Sequence, residues 1–373
     1  NAVPEILIRG KSSFEGKSNQ PLFIMDGYEI SIEQVFDTDI ERIKQVTILK
    51  DASATAIYGS RAANGVVVIE TKMPEQGKLS VSYSFNATIE APDLTDYDLL
   101  NASEKLQFEE LAGVYKDSEG NVANQMKLDK LYEQRHKEVE RGVNTYWLSQ
   151  PLQTSFRHTH SLSLGGGNER SRYGVNLNYG ANPGVMKGST RDRFGISFTW
   201  TYNIASKFRI GNVLSVNQIK SEKTPYGEFS TYTKLNPYER AKDEKGRWIY
   251  LLSNGNPNPL VDAHLNSYDK TESTSYTNNF DIEWYIVEGV RLTGRFSYSF
   301  GNNDADRFIS PKDSRYLQKE NNEKGFYSST SGRTNSMDGN LVLNFYHQWD
   351  RHMVTLLGGL NMQSNKNRST YFS

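Results

Sequence analysis

Beyond residue 78 the chain repeats one pattern, and that pattern sets most of what it can fold into. Leu79, Val81, Tyr83, Phe85, Ala87 and Ile89 alternate with Ser80, Ser82, Ser84, Asn86, Thr88 and Glu90. Successive strand residues point to opposite faces, so this segment predicts a strand with one apolar and one polar side. A soluble half-buried strand gives the same signal once. Here it recurs at Leu162–Leu164, Tyr173–Tyr179, Phe194–Ile204, Phe208–Val216, Tyr276–Ile286, Val290–Phe300, Leu341–Trp349 and Val354–Met362, which gives about nine strands.

The connections also have a parity. Those near 166–169, 205–207, 287–290 and 350–352 are short, those near 92–156, 221–272 and 302–332 are long, and 182–190 is intermediate. Short turns at one rim and long loops at the other are what a membrane β-barrel needs and what a sandwich does not. Trp200, Tyr202, Trp284 and Trp349 lie beside short turns, where an aromatic girdle belongs. A mean hydropathy of −0.67 does not oppose this, because such strands show lipid only every second residue. No run of 18 apolar residues exists, so a helical span is excluded on length. The net charge of −1 gives no basic field for nucleic acid, and the absence of cysteine removes disulfides and thiolate metal sites. Nine strands in 300 residues also leave an unpaired sheet edge and an apolar face, so the chain reads as part of a longer protein.

The first 73 residues differ in kind, and we expect a boundary at 73/74 between a small α+β unit and the strand array. Ile6–Arg9 and Leu22–Met25 are short apolar runs, and Asp26-Gly27 is a tight-turn pair. Ile40–Leu49 predicts a helical turn running into a β-branched strand. Asp51 is placed to cap a short helix, Ala52–Tyr58, that Gly59 ends. Asn64-Gly65 turns the chain into Val66–Thr71, a continuous apolar run expected to be buried on both faces. The stretch between Gly59 and Gly65 lacks the Gly-Lys-Ser/Thr ending of a phosphate loop.

Pro21 to Gly27, Ile43 to Leu49, and Lys50-Asp51-Ala52-Ser53-Ala54-Thr55-Ala56-Ile57-Tyr58-Gly59-Ser60-Arg61-Ala62-Ala63-Asn64-Gly65-Val66 resemble the plug of the SusC/RagA family of TonB-dependent outer-membrane transporters. Leu99-Leu100-Asn101-Ala102, Asn144 to Trp147, His160 to Gly167 and the tract from Tyr173 to Gly188 resemble the family's early barrel. The resemblance implies a membrane all-β fold: an antiparallel barrel of about 22 strands with a small α+β plug in its lumen. It implies location in the bacterial outer membrane and energy coupling through TonB with ExbB–ExbD. It also implies a SusD-like surface lipoprotein as lid, and import of oligosaccharides or, alternatively, of oligopeptides. No enzyme activity and no cofactor are expected. A surface receptor or adhesin on the same scaffold is the alternative of another class, although an adhesin needs no gated lumen.

Within the plug signature, Asp26, Gly27, Lys50, Asp51, Ala52, Tyr58, Gly59, Arg61, Asn64 and Gly65 are expected to hold the plug's shape rather than touch substrate, with Asp51 and Arg61 able to meet a polar wall. In the loop near 221–272, Tyr226, Tyr232, Tyr238, Trp248 and Tyr250 offer flat faces for a sugar ring or an extended peptide; the plainer reading is that they pin the loop in a core of its own. Leu99, Leu106, Leu111 and Val114 give apolar spacing to a helix capped by Asn101 or Ser103, and Lys127–Arg141 reads as a helix with solvated charges. His158 and His160 share a strand face but have no evident third ligand, so no metal site is expected. Asp93, Asp96 and Asp98 read as ordinary helix-entry residues. Asn302 to Asp306 lacks the spacing and closing Glu of a calcium loop.

Overall fold

The computed structural model describes residues 20–38, 40–50, 62, 64–205 and 207–373. The expected helix at 52–58, with Asp51, Ala52, Tyr58, Gly59 and Arg61, and the apolar run at 6–9 lie outside the described residues.

Among the described residues two sheets form. The smaller comprises β1 (Leu22–Met25), β2 (Tyr28–Ile30), β3 (Ile43–Leu49) and β4 (Val66–Thr71) in the order β2-β1-β4-β3. β1 runs parallel to β4, while β3 is antiparallel to it. β4 is therefore a central strand. Val66 packs with Leu22, Ile24 and Ala62 on one face; Val67 and Ile69 pack with Phe23 and Ile32 on the other. The helix α1 (Ile32–Asp37) covers the second face. It starts at a capping box in which the Ser31 hydroxyl accepts from Gln34 N–H and the Gln34 side chain accepts from Ser31 N–H.

The larger sheet is an antiparallel meander of nine strands: β5 (Gly77–Glu90), β6 (Ser155–Gly167), β7 (Ser171–Ala181), β8 (Thr190–Ile204), β9 (Phe208–Glu222), β10 (Tyr268–Val287), β11 (Val290–Ile309), β12 (Phe326–Trp349) and β13 (His352–Phe372). Its register separates two chemistries. One row across the sheet reads Tyr83, Leu162, Leu177, Ile196, Val216, Tyr276 and Phe300. The row one residue away, on the opposite face, reads Ser82, Ser163, Asn176, Ser197, Ser215, Thr277, Ser299, Ser336 and Asn365. Hydroxyls and amides on this second face bond along the row, as from Ser163 Oγ to Asn176 Oδ1 at 2.7 Å. The apolar face stays exposed, with Leu79, Tyr83, Phe198, Phe280 and Leu341 among its members. An exposed apolar face of this extent fits lipid rather than water. An amide pair within it is self-satisfied, since Asn212 and Asn278 bond each other at 3.1 and 3.3 Å.

Ala205 and Asp350 adopt positive φ in the short turns, as tight hairpins demand. Beside these turns Trp200 stacks on Tyr202, Phe208 meets Trp284 edge-on and His347 meets Trp349, so the aromatics of this rim share the apolar face.

The long connections are shorter than the sequence pattern implied. The third spans 310–325 only, because β11 continues to Ile309 and β12 begins at Phe326. The strands persist where apolar alternation stops. Asn302, Asp304, Asp306, Arg333 and Ser331 occupy the outward positions there, so the backbone ladder outlasts the apolar signal. Asn302 to Asp306 is thus strand, not a loop, and Asn302 Nδ2 donates to Asp304 at 2.6 Å.

Candidate functional site

The small sheet sits against the polar face of the large one. At the Asp26-Gly27 turn, Asp26 and Gly27 have φ of 52° and 90°, the left-handed pair of a tight hairpin. The Asp26 carboxylate reaches across to β4, accepting from Thr71 N–H at 2.8 Å and from the Thr71 hydroxyl at 2.7 Å. Gly27 has a second reason to be glycine: a Cβ there would lie 2.7 Å from the Arg295 guanidinium on β11. Next to it Tyr28, 8% exposed, donates its hydroxyl to the Phe280 carbonyl of β10 at 2.9 Å. Burial, with the Asp281 carboxylate beside it, pushes the Tyr28 phenol well above its ordinary value. Asp281 is 3.8 Å from Arg209 of β9, and Gly211 leaves the room its carboxylate fills, since a Cβ there would fall 2.2 Å from Oδ1. At the far side Arg193 of β8 donates to the Phe36 carbonyl at the end of α1, at 3.0 Å. Ser197, Thr199 and Thr201 of the same strand face are buried.

Of the expected signature residues, Asp26 and Gly27 therefore lie at this junction. Asn64 and Gly65 do not: the Asn64 side chain donates to Gln20 O and Gly65 O accepts from Leu22 N–H, so they fasten β1 to β4 within the small unit. Lys50 is exposed at the end of β3. Sequence reading missed Tyr28, Arg193, Arg209, Asp281 and Arg295. Their one signal is that charged residues at 281 and 295 fall on the polar parity of adjacent strands.

At the rim opposite the short turns the long connections form a separate layer. The helix α2 (Ala102–Leu111) starts at Asn101 through a capping box with Glu104. Its expected apolar face is not its buried face. Leu106 is buried, whereas Leu99, Leu111 and Val114 are exposed, and Glu109 is buried instead. Glu109 meets Arg135 of α3 (Val122–Glu140) at 3.4 Å. It also accepts from the Tyr115 hydroxyl at 2.6 Å and the Tyr238 hydroxyl at 2.9 Å. Arg135 in turn donates to Tyr115 at 2.9 Å and to Ser253 at 3.1 Å. So α3 is not solvated all round: one of its charges anchors the layer. Burial, with the hydrogen bond to Glu109, pushes the Tyr115 phenol up to about 12; burial pushes Tyr238 up as well.

The loop aromatics divide accordingly. Tyr232 and Tyr238 are each 1% exposed, and so are structural pins rather than ligand contacts; their burial comes from packing on Trp147, Leu148 and Leu260 and from the Glu109 knot. Tyr226 and Trp248 line a cavity of about 400 Å³, and Tyr250 is exposed elsewhere on the loop. On the lipid side His158 and His160 sit among Phe85, Phe156 and Tyr179, with His160 Nδ1 2.7 Å from the Tyr83 hydroxyl. They belong to an aromatic belt. Among the described residues no three acidic or histidine side chains converge as a metal site. Asp93 accepts from the N–H and hydroxyl of Thr95, which hold its carboxyl below the usual range, so it caps a turn.

A compact unit seated on the hydroxyl-rich side of a meander whose other side is greasy defines a plugged outer-membrane receptor. Comparison agrees: residues 1–66 match the TonB-dependent Receptor Plug Domain. The chain is similar to the TonB-dependent receptor SusC of Bacteroides thetaiotaomicron, 30% identical over 352 residues that cover 80% of this chain and 32% of SusC. It is also similar to the TonB-dependent receptor P3 of Formosa agariphila, 26% identical across 98% of this chain and 34% of that protein. Among solved structures it superposes on the RagAB peptide transporter with a TM-score of 0.74 and 19% identity, covering 95% of this chain and 43% of that one. It superposes on FpvA of Pseudomonas aeruginosa with a TM-score of 0.53 and 10% identity, covering 94% and 37%. The chain belongs with the SusC/RagA-type TonB-dependent receptors, proteins of the bacterial outer membrane. It spans about a third of the length of the curated relatives it matches.

Proposed function

We propose that the protein of which this chain is part imports oligosaccharides across the outer membrane, driven by TonB with ExbB–ExbD and assisted by a SusD-like surface lipoprotein that lids the loop rim. The observation that carries this reading is the junction between plug and wall. A unit whose only role is to fill space needs apolar packing, whereas this one meets the wall through Tyr28, Phe36, Arg295 and the Asp281–Arg209 pair. Polar contacts of this kind exchange readily for water, which suits a plug that is displaced and reseated. The glycan cargo is what the resemblance to the SusC/RagA family implies. The fold likeness to the RagAB peptide transporter supports a second reading in which the cargo is an oligopeptide. In this proposal residues 1–73 are the plug and 74–373 the barrel portion, in keeping with β4 ending at Thr71 and β5 starting at Gly77. Asp26, Gly27, Asn64 and Gly65 shape the plug, and Tyr226 and Trp248 wall the rim cavity through which cargo is met. No catalytic role is assigned; the curated relatives named above are TonB-dependent receptors.

Uptake tests it. Cells lacking the gene are expected to lose accumulation of fluorescently labelled oligosaccharide, and wild-type cells to lose it when the proton gradient is collapsed. Uptake unchanged in both cases defeats the proposal. Uptake of labelled peptides instead of sugars selects the second reading.

A further inference from the structure

The cavity at the loop rim carries an electrostatic feature that the aromatic content hides. It draws on three separate connections: Thr145 and Gln150 before β6, Lys187 between β7 and β8, and Tyr226, Lys242 and Trp248 with neighbouring residues between β9 and β10. Its volume of about 400 Å³ is within the range of small-ligand sites. Two lysines line it, and no carboxylate is among the described residues that do.

Both lysines are held rather than free. Lys242 Nζ stands 4.1 Å above the Trp248 ring, and Lys187 Nζ stands 5.8 Å from the Tyr226 ring while donating to the Gln150 carbonyl at 2.6 Å. Cation–π contact and a carbonyl acceptor fix long flexible side chains without neutralising them, which lowers the ordering cost of binding an anion. His264 also lies against Trp248, at 4.4 Å between ring centroids and tilted by 46°. Trp248 thus supports the Lys242 cation at the cavity wall.

We propose that this cavity recognises the carboxylate of an acidic sugar, so that the cargo is an anionic rather than a neutral oligosaccharide. The site rests on the import reading for its biological meaning but not for its binding chemistry. Beside the paired lysines, the Thr145 hydroxyl and the Gln150 amide offer partners for ring hydroxyls. An acidic peptide brings the same carboxylate but also a backbone that needs a free strand edge. The 241–249 part of the lining is already paired with itself: residues 242 and 248 bridge one another, Asp243 N–H donates to Arg247 O, and Ile249 N–H donates to Ala241 O.

The test uses full-length protein purified from outer membranes in detergent, with binding measured calorimetrically for two matched probe pairs. One pair is hexagalacturonate and its fully methyl-esterified form; the other is hexaglutamate and hexaglutamine. Hexagalacturonate is expected to bind about tenfold more tightly than its ester. The double variant Lys187→Met, Lys242→Met is expected to erase that ratio while still binding the ester, and Lys187→Arg, Lys242→Arg to restore it. Equal affinities for acid and ester, no binding of either sugar, or a preference that survives the methionine variant each overturn the proposal. A preference seen only in the peptide pair overturns it in favour of an acidic peptide. Loss of the acid preference with uptake of neutral sugar intact removes this site alone; an intact preference with uptake unaffected by gene deletion removes the import reading alone.

Discussion

The loop layer and the plug junction both bury charge and tyrosine, yet they are built to opposite ends. In the layer, Glu109 and Arg135 are buried together; Tyr115, Tyr238 and Ser253 from other segments close the knot, and Lys105 of the same helix stands 3.4 Å from Glu109. At the junction the contacts among described residues are thinner: one phenol on a carbonyl, one guanidinium on a helix end, and an Arg209–Asp281 pair at 3.8 Å. A buried ion pair resists opening because breaking it strands a charge; isolated hydrogen bonds to backbone carbonyls give way to water at small cost. The comparison teaches that polarity alone does not make an interface loose. The degree of closure decides.

The sharpest way to break the contrast is Arg135→Ala. Removing the buried guanidinium leaves Glu109 only the partly exposed Lys105 as cation and costs about 3 kcal/mol, the low end for a broken buried pair, so amide exchange across 102–140 is expected to accelerate strongly while exchange in the nine strands stays slow. Unchanged exchange in the loop helices contradicts the knot. Alkali acts on the same cluster. A phenol whose folded pKa is raised contributes stability that is fully present below its unfolded value of about 10 and is lost as pH rises towards its folded value. With Tyr115 pushed up to about 12, the layer is expected to lose on the order of 2–3 kcal/mol between pH 10 and 12. Absorbance at 295 nm checks this through a late-titrating tyrosine fraction that Tyr115→Phe removes.

At the junction the effects are smaller. Gly211→Leu fills the space of the Asp281 carboxylate and is expected to cost about 1–3 kcal/mol, read as lowered protection of 22–71 against exchange. Tyr28→Phe removes one hydrogen bond and is expected to cost about 1 kcal/mol there, with the loop layer unaffected. If Tyr28→Phe loosened the plug as much as Arg135→Ala loosens the loops, the contrast between the regions would fail.

The strand array was legible because lipid on one side and hydroxyls on the other impose a period of two on every strand, from Leu79 to Met362. The Asp26-Gly27 hairpin and the central strand Val66–Thr71 were legible from local chemistry alone. The site was less so. Parity says that Asp281 and Arg295 face inward, but not that Tyr28 and Gly27 will come to rest against them, since that contact joins residues some 250 positions apart. The apolar spacing of α2 misled for a related reason: its anchor is Glu109, a charge, whose burial is compensated in large part by the distant Arg135 and Tyr238. The pairing of Lys242 with Trp248 was equally hidden, although the aromatics of that loop drew notice.

The extra length of β10 to β13 has a consequence for reach. On β10 the unbroken outward apolar alternation ends at Tyr276; Thr274, Glu272 and Lys270 follow on that face before the strand closes at Tyr268, a climb on the order of 25 Å along its axis. With the tilt of about 45° usual for such strands, this parapet lifts the loop layer roughly 15–20 Å clear of the acyl chains. Under the proposed import function, cargo would be met above the headgroups, and a lid anchored in the same leaflet by a lipid would need a body or tether at least that tall to cover the opening.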